Sequence, residues 1–382
     1  MRRTIFEDEH DSFRQSFRAF LEAEVCPHVE EWERAGIVSR EIYAKAAQFG
    51  FVAMSVPERY GGAGVEDFRF NAVVGEEAAL AGAYGLALGL TLNNDVCVPY
   101  LLSYSSEEQR ERWLPAVAAG EAILAIAMTE PGTGSDLAGI STRALRSGDV
   151  YVLNGAKTFI TNGINADLVI VAAKTDPSER HRGLSLLVVE RGMEGFERGR
   201  NLEKIGQHSQ DTAELFFSDV QVPAANLLGE EGEGFRYLVS NLAQERVSIA
   251  VSALASARAG LAATLEYVRE REAFGKPVSS FQNTRFQLAD CHAEIEVAQA
   301  YLDRCIAALA TAELPPEDAA VAKLWCTEVQ GRVLDRCVQM HGGYGYMTEY
   351  PVARAWADAR ATRIFGGTNE IMREIIGRSL GL

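Results

Sequence analysis

Apolar residues recur along the first third of the chain at intervals of three and four, and that spacing predicts helices. Phe13, Phe17, Phe20, Leu21 and Val25 line one face of a first helix, and amphipathic runs follow at about 39–50, 67–102 and 106–119. Pro57 to Gly64 interrupts them as a Pro- and Gly-rich loop. Near residue 121 the rhythm changes. Ala122–Met128, Val150–Leu153, Lys157–Ile160, Leu168–Ala173, Leu184–Val189 and Ala213–Phe217 are short, β-rich runs of the kind that form strands. Long amphipathic stretches return at about 232–270, 281–311, 315–341 and 370–380, with Pro315 and Pro316 separating two of them. The expected organisation is therefore a helical unit over 1–120, a β unit over 121–228 and a helical unit over 229–382. This is an α+β arrangement. Strands do not alternate with helices, which argues against a doubly wound sheet.

One residue disturbs the pattern. The run from Phe235 to Ile249 reads as part of one long helix, and Leu238, Leu242 and Ile249 share an apolar stripe with Glu245. A carboxylate facing a core is costly unless it is paired, neutral or used. Arg246 is adjacent in sequence, so it points off that face and makes a poor partner within the helix.

Composition narrows the field. The 382 residues are 47% hydrophobic and carry 37 Lys and Arg against 53 Asp and Glu, a net charge of -16. That balance argues against nucleic acid as a main partner. The N-terminus lacks the apolar region of a signal peptide, and runs such as Ala122–Met128 and Leu168–Ala173 are too short to span a bilayer. A cytoplasmic protein without a membrane partner is expected. Cys26, Cys97, Cys291, Cys305, Cys326 and Cys337 are scattered, so reduced and mostly buried thiols are expected. Cys337 and His341 share a helix face, but two ligands do not make a zinc site, and no metal is expected.

Five segments carry candidate chemistry. Thr129 to Asp136, with Gly132, Gly134 and Ser135, is either a plain turn or a cluster of free N–H donors after a strand, suited to a phosphate or flavin edge. Lys157 to Gly163 is either an ordinary hairpin or a platform in which Phe159 faces an aromatic cofactor and Thr161 offers a hydroxyl. Arg269 to Pro277 closes a helix, which explains Gly275 and Pro277 but not Phe274 or the repeated Arg. Gln339 to Tyr346 and Ile364 to Arg373 are Gly-rich turns that let backbone approach a ligand, and Thr368 is either a helix cap or a ligand contact.

Taken in order, these segments resemble the acyl-CoA dehydrogenase family of flavoproteins over nearly the full length. Ala127–Asp136, Lys157–Gly163, Arg271–Lys276, Gln339–Gly345 and Gly366–Glu370 carry the resemblance. It implies an N-terminal all-α domain, a middle β-barrel or sandwich domain and a C-terminal four-helix bundle. It also implies FAD, bound between subunits of a homotetramer built as a dimer of dimers. The implied reaction is α,β-dehydrogenation of an acyl-CoA thioester: a carboxylate removes the α-proton and the β-hydrogen leaves as hydride to flavin N5. Electrons then pass to an electron-transferring flavoprotein. An acyl thioester on a carrier protein is an alternative substrate. An oxidase and a non-catalytic flavoprotein scaffold are the other functions to separate from it.

The resemblance assigns roles residue by residue. Met128, Thr129, Phe159, Ile160 and Thr161 would contact the flavin, and Ser135 would lie near the pyrophosphate and the thioester end of the substrate. Arg271, Phe274 and Gln282 would hold the pyrophosphate and adenosine, and Gln339, Gly342 and Gly343 would meet the FAD of a neighbouring subunit. Thr368 and Glu370 would close the FAD site, and Leu242, Arg246, Gly366 and Gly367 would contact substrate. Gly366 stands where medium- and short-chain members carry the catalytic Glu. Long-chain and isovaleryl-CoA dehydrogenases instead carry it in a Glu-Arg pair on the long helix after the β domain, which Glu245-Arg246 matches. Glu130, Glu214 and Glu370 are the other carboxylates to weigh. The expectation is a buried Glu245 near the N–H of Gly366, without an Arg partner.

Overall fold

Seven helices open the computed structural model, which describes residues 3–382. The first two residues of the expected N-terminal unit lie outside the described residues. The helices are α1 (Asp8–Phe20), α2 (Val29–Ala35), α3 (Glu41–Gln48), α4 (Phe68–Leu80), α5 (Tyr84–Thr91), α6 (Val98–Tyr104) and α7 (Glu107–Ala118). Local chemistry sets their starts: the Asp67 side chain accepts from Arg69 N at α4, and Ser106 with Gln109 forms a capping box at α7. Phe17, Leu21, Phe51, Leu90 and Leu114 are buried together in the core of this unit.

The amphipathic run at 67–102 is not one helix. Between α5 and α6 the chain widens into a π-helical turn, Leu92–Cys97. This turn directs Asn93, Asn94 and Asp95 into the interior, where all three are buried. Asn94 accepts from Ala53 N at 2.7 Å, and Asn93 accepts from Leu124 N at 2.9 Å. The turn thus joins the helical unit to the first strand.

The strands are β1 (Leu124–Ala127), β2 (Arg143–Ser147), β3 (Val150–Thr161), β4 (Leu168–Lys174), β5 (Leu184–Glu190), β6 (Phe196–Asn201), β7 (Thr212–Pro223) and β8 (Leu227–Leu228). They form an eight-stranded sheet in the order β6-β7-β3-β2-β4-β5-β8, with β1 parallel to β4 through pairs such as Leu124–Leu168. β4 is buried along its whole length and β5 nearly so, which is why both read as continuous apolar runs. The two runs at 150–153 and 157–160 prove to be one strand, β3, with register shifts against β7. Gly155 permits this: at φ 150° it passes so close to Thr142 that a Cβ would sit 2.8 Å from the Thr142 Cα. β3 pairs with β2 and β7 rather than with the strand that follows it, so Lys157–Gly163 is not an ordinary hairpin. β2 (RALRS) and β6 (FERGRN) carry no apolar run: each has one buried position, Ala144 or Phe196, among mostly polar residues.

The C-terminal unit comprises α8 (Gly234–Ser240), α9 (Leu242–Glu270), a small hairpin of β9 (Glu272–Ala273) and β10 (Lys276–Pro277), α10 (Gln282–Ala310), α11 (Pro316–His341), α12 (Pro351–Ala359) and α13 (Asn369–Ser379). Val247, Val251, Leu254 and Leu261 of α9 pack with Ile295, Leu302, Cys326 and Val333 of α10 and α11, and with Phe68 and Ala72 of α4. The expected continuous helix through 235–249 is broken at Asn241, whose side chain donates to the Asp95 carbonyl at 3.1 Å. Leu238 therefore belongs to α8, and the apolar stripe crosses a joint. One window within Gly234–Glu270 has a mean hydropathy of 1.4 and meets the length and composition of a membrane span, contrary to the reading of short runs; 67% of it is buried inside the protein. All six cysteines are free, Cys26 exposed and the others buried.

Candidate active site

Glu245 lies in the first turn of α9 and is 6% exposed. Two neutral donors meet its carboxylate, one from α6 and one from the joint at Asn241. Tyr100 OH, from α6, donates to Oε1 at 3.1 Å, and Asn241 Nδ2 donates to the same oxygen at 3.2 Å. Burial pushes the Glu245 carboxyl up to about 7; the bonds from Tyr100 and Asn241 and the charge of Arg246 oppose the rise without cancelling it. No salt bridge reaches Glu245 among the described residues. Arg246 is itself buried, and its Nε has no hydrogen-bond partner among the described residues. Burial lowers the Arg246 guanidinium against the attraction of Glu245.

A second carboxylate supports this corner. Asp95, 1% exposed in the π turn, accepts from Asn71 Nδ2 at 2.6 Å and from Ser248 Oγ, while its carbonyl accepts from Asn241 and Gln244. Burial raises it to about 6 against the bonds from Ser248 and Asn71. Asp95 therefore anchors the start of α9, and Glu245 projects from that anchored turn.

The Gly366–Gly367 turn reaches the same helix. Gly366 has φ 64°, and a Cβ there would lie 2.3 Å from Ile249 Cδ1, one helical turn after Glu245. An acidic side chain at 366 would have to enter space that Ile249 fills. Lys323 of α11 ties the turn down from behind, with Nζ donating to the Gly367 carbonyl at 2.8 Å and to Asn369 Oδ1 at 2.9 Å. Burial and the Arg246 charge push Lys323 down to about 8, with Glu370 and Glu328 pulling the other way. Thr368 caps α13 by accepting from Ile371 N at 3.3 Å. Glu370 points outward, its side chain 81% exposed beside Arg373. Leu242 is half-buried at the opening turn of α9.

The β unit contributes a separate surface. Glu130 is held by Lys157 Nζ at 2.9 Å and accepts from Ser141 N, Ser141 Oγ and Thr142 N. Burial would raise this carboxyl, but the Lys157 charge and those bonds hold it at about 2. Lys157 also donates to the Met128 carbonyl at 3.0 Å, and Thr158 N donates to Thr129 O at 2.9 Å, so β3 fixes the Met128–Thr129 backbone. Next to it Phe159 adopts φ 59° and is 68% exposed, while Ile160 is buried and Thr161 half-buried. Ser135 is exposed in the adjoining loop. A bulky residue held in left-handed backbone and offered to solvent is strained, as residues at ligand sites often are.

A third surface lies at the far end of α9. Tyr267, Arg271, Val278, Gln339, Gly342, Gly343, Tyr344 and Met347 line a groove of about 560 Å³. Phe274, at φ 53° and 96% exposed, repeats the anomaly of Phe159. Nothing lies within 4 Å of where a Cβ would stand on Gly342 or Gly343, so the backbone is open to a ligand. His341 is explained by packing: its ring stacks on Tyr267 at 4.1 Å and its Nδ1 meets the Cys337 carbonyl at 2.9 Å. Gln282 is exposed at the start of α10.

Family models of the acyl-CoA dehydrogenase N-terminal, middle and C-terminal domains match residues 7–121, 125–220 and 232–381. The chain belongs to the acyl-CoA dehydrogenase family. The mitochondrial long-chain specific acyl-CoA dehydrogenase of Rattus norvegicus is 48% identical over 380 residues, 99% of this chain and 88% of that one. The solved acyl-CoA dehydrogenase of Geobacillus kaustophilus matches with a TM-score of 0.97 at 50% identity, covering 99% of each chain. A glutaryl-CoA dehydrogenase from Mycobacterium smegmatis, solved with FADH2, matches with a TM-score of 0.91 at 28% identity, covering 98% of this chain and 95% of that one.

In this acyl-CoA dehydrogenase the structure gathers the sequence candidates into three sets. Gly366 reaches Ile249, one turn after the buried Glu245; Met128, Thr129, Phe159 and Thr161 share one end of the sheet; Arg271 shares a groove with Gln339–Gly343. Four supporting residues were not foreseen: Tyr100, Asn241, Asp95 and Lys323. Asn241 carried a usable signal, a polar residue one turn before Glu245. Tyr100 carried none, standing 145 residues away.

Proposed function

We propose that this protein is an FAD-dependent dehydrogenase that desaturates an acyl-CoA thioester between its α and β carbons, with Glu245 as the base. The observation that carries this reading is the setting of Glu245: buried and bonded only to neutral donors, so that burial pushes its carboxyl up. A carboxyl poised near neutral pH suits general-base work on a weak carbon acid. Glu130 is held ionised by Lys157, and Glu370 is solvated, so neither matches that demand.

The residues present fit a flavin dinucleotide. Exposed Phe159 offers a ring face, the Met128–Thr129 backbone and Thr161 offer polar groups beside it, and Arg271 with the open Gly342–Gly343 turn suits a pyrophosphate. Bound FAD supplies the acceptor for the β-hydride. Gly366 N–H, held by the Lys323-braced turn, is suited to polarise the thioester carbonyl as negative charge develops on it. Glu245, buried in the first turn of α9, then takes the α-proton. Leu242, Arg246 and Gly367 would contact the substrate, and Ser135 would meet the pyrophosphate and the thioester end.

Phe274, Tyr346 and Met347 expose apolar surface beside the groove, which supports FAD shared across an interface between copies in a tetramer. The expected electron acceptor is an electron-transferring flavoprotein.

Anaerobic titration with saturated acyl-CoA thioesters, from butanoyl to octadecanoyl, tests this reading. Bleaching of the oxidised flavin band by at least one of them is expected. No bleaching by any of them would refute acyl-CoA as the substrate.

A further inference from the structure

Both donors to Glu245 converge on Oε1, and Oε2 has no donor among the described residues. The Tyr100 hydroxyl has one hydrogen and two acceptors within reach: Glu245 Oε1 and the Leu238 carbonyl, each at 3.1 Å. Tyr100 is 1% exposed on α6, directly after the π turn, and its hydroxyl meets no other acceptor among the described residues. An ionised carboxylate is the stronger acceptor of the two. Once the carboxyl is neutral, the hydroxyl can turn to Leu238 at no loss of hydrogen bonding.

We propose that Tyr100 is a positioning residue for the reaction: its hydroxyl anchors Oε1, leaves Oε2 to take the α-proton, and moves its hydrogen bond to Leu238 when Glu245 is protonated. The proposal rests on Glu245 being the base. In the step, the α C–H proton passes to Oε2 as the β-hydride leaves to the flavin, and Tyr100 keeps its own proton throughout.

Several ionisable groups surround the pair. On the π turn and α6 they are Asp95, Cys97, Tyr100 and Tyr104; on α9, Arg246; on α11, Lys323, which faces Arg246. Asp95 is occupied by Asn71 and Ser248, and Tyr104 by Ser240 at 2.6 Å. The Cys97 thiol is pushed well up by burial and by Glu245, so it stays neutral. Tyr100 and Asn241 are the groups that bond the base directly; the two hydrogens of Asn241 Nδ2 serve Glu245 and the Asp95 carbonyl together, whereas the single hydrogen of Tyr100 must choose between Glu245 and the Leu238 carbonyl.

The test uses the FAD-loaded enzyme and its best acyl-CoA from the titration. Anaerobic flavin reduction is followed from about pH 5.5 to about pH 9 for wild type, Tyr100→Phe and Glu245→Gln. For Tyr100→Phe the midpoint of the profile should rise by about one pH unit, as loss of one hydrogen bond to an anion requires, and the plateau rate should fall about tenfold because Oε2 is no longer held towards the α-carbon. KM should stay within about twofold, because the proposed bond does not bind substrate. Site-specific 3-fluorotyrosine at position 100, a stronger donor of nearly the same shape, should move the midpoint down and guards against a folding defect in the Phe variant. An unchanged midpoint in both variants, or a change in KM alone, would overturn the proposal. If Glu245→Gln reduces flavin at the wild-type rate, the base assignment itself fails. If Glu245→Gln is dead and both Tyr100 variants match wild type, only the role of Tyr100 fails.

Discussion

Two carboxylates of this protein are buried to nearly the same degree, Glu130 at 4% and Glu245 at 6% exposure, yet they stand at opposite ends of the titration range. Glu130 has a lysine ammonium at 2.9 Å and donors from Ser141 and Thr142, and is held at about 2. Glu245 has a tyrosine hydroxyl and an asparagine amide, and rises to about 7. Burial raises both; the partner decides the outcome. One carboxylate is a structural anion fixing a loop, and the other is a group able to exchange a proton near neutrality.

The sharpest way to break this comparison is to neutralise each carboxylate in turn. Glu245→Gln should keep the fold and lose about 10³-fold or more in flavin reduction by substrate. Glu130→Gln strands Lys157 in the interior and should lose about 3 kcal/mol or more of stability in denaturant unfolding, with the remaining folded protein still reducible. A stable, inactive Glu130 variant beside an active Glu245 variant would reverse the roles.

The pH dependence of stability separates them next. Glu245 has a folded pKa above the ordinary carboxylate value, so its contribution favours the fold at acid pH and is lost as pH rises through about 7. Gln carries no such cost. The melting temperature of Glu245→Gln relative to wild type should therefore be higher at pH 8 than at pH 5, by the equivalent of up to about 3 kcal/mol. Glu130 behaves oppositely: its stabilisation is present above the ordinary carboxylate pKa and disappears as pH falls towards about 2.

Gly366→Ala should cost about 1–2 kcal/mol, combining a φ of 64° with the approach to Ile249 Cδ1. Adding Ile249→Ala should recover the steric part, read as a partial return of the melting temperature. The smallest effect on the fold belongs to Phe274→Ala, within about 0.5 kcal/mol because the ring is 96% exposed. Retention of FAD on dilution should nevertheless weaken in that variant.

The helix-strand-helix order was legible because periodicity is a local property. Glu245 was legible for the same reason, as one charge out of register with its apolar neighbours. The joint at Asn241 was not: it contains neither Pro nor Gly, and the bond to the Asp95 carbonyl comes from a distant segment. Tyr100 and Lys323 were invisible because their partners are brought to them only by folding. β2 and β6 were not legible because each has a single buried position, Ala144 or Phe196, and so no apolar alternation. Local pattern thus exposed the group that departs from its surroundings, and long-range contacts supplied what sets its proton affinity.

The central claim, that Glu245 is an unpaired base poised near neutrality, is tested most directly by the pH profile of anaerobic flavin reduction under single-turnover conditions. The rate should rise with pH through a midpoint near 7, as the neutral carboxyl ionises, and the rise should vanish in Glu245→Gln together with the reaction. A flat profile, or a midpoint near the ordinary carboxylate range, would contradict the account.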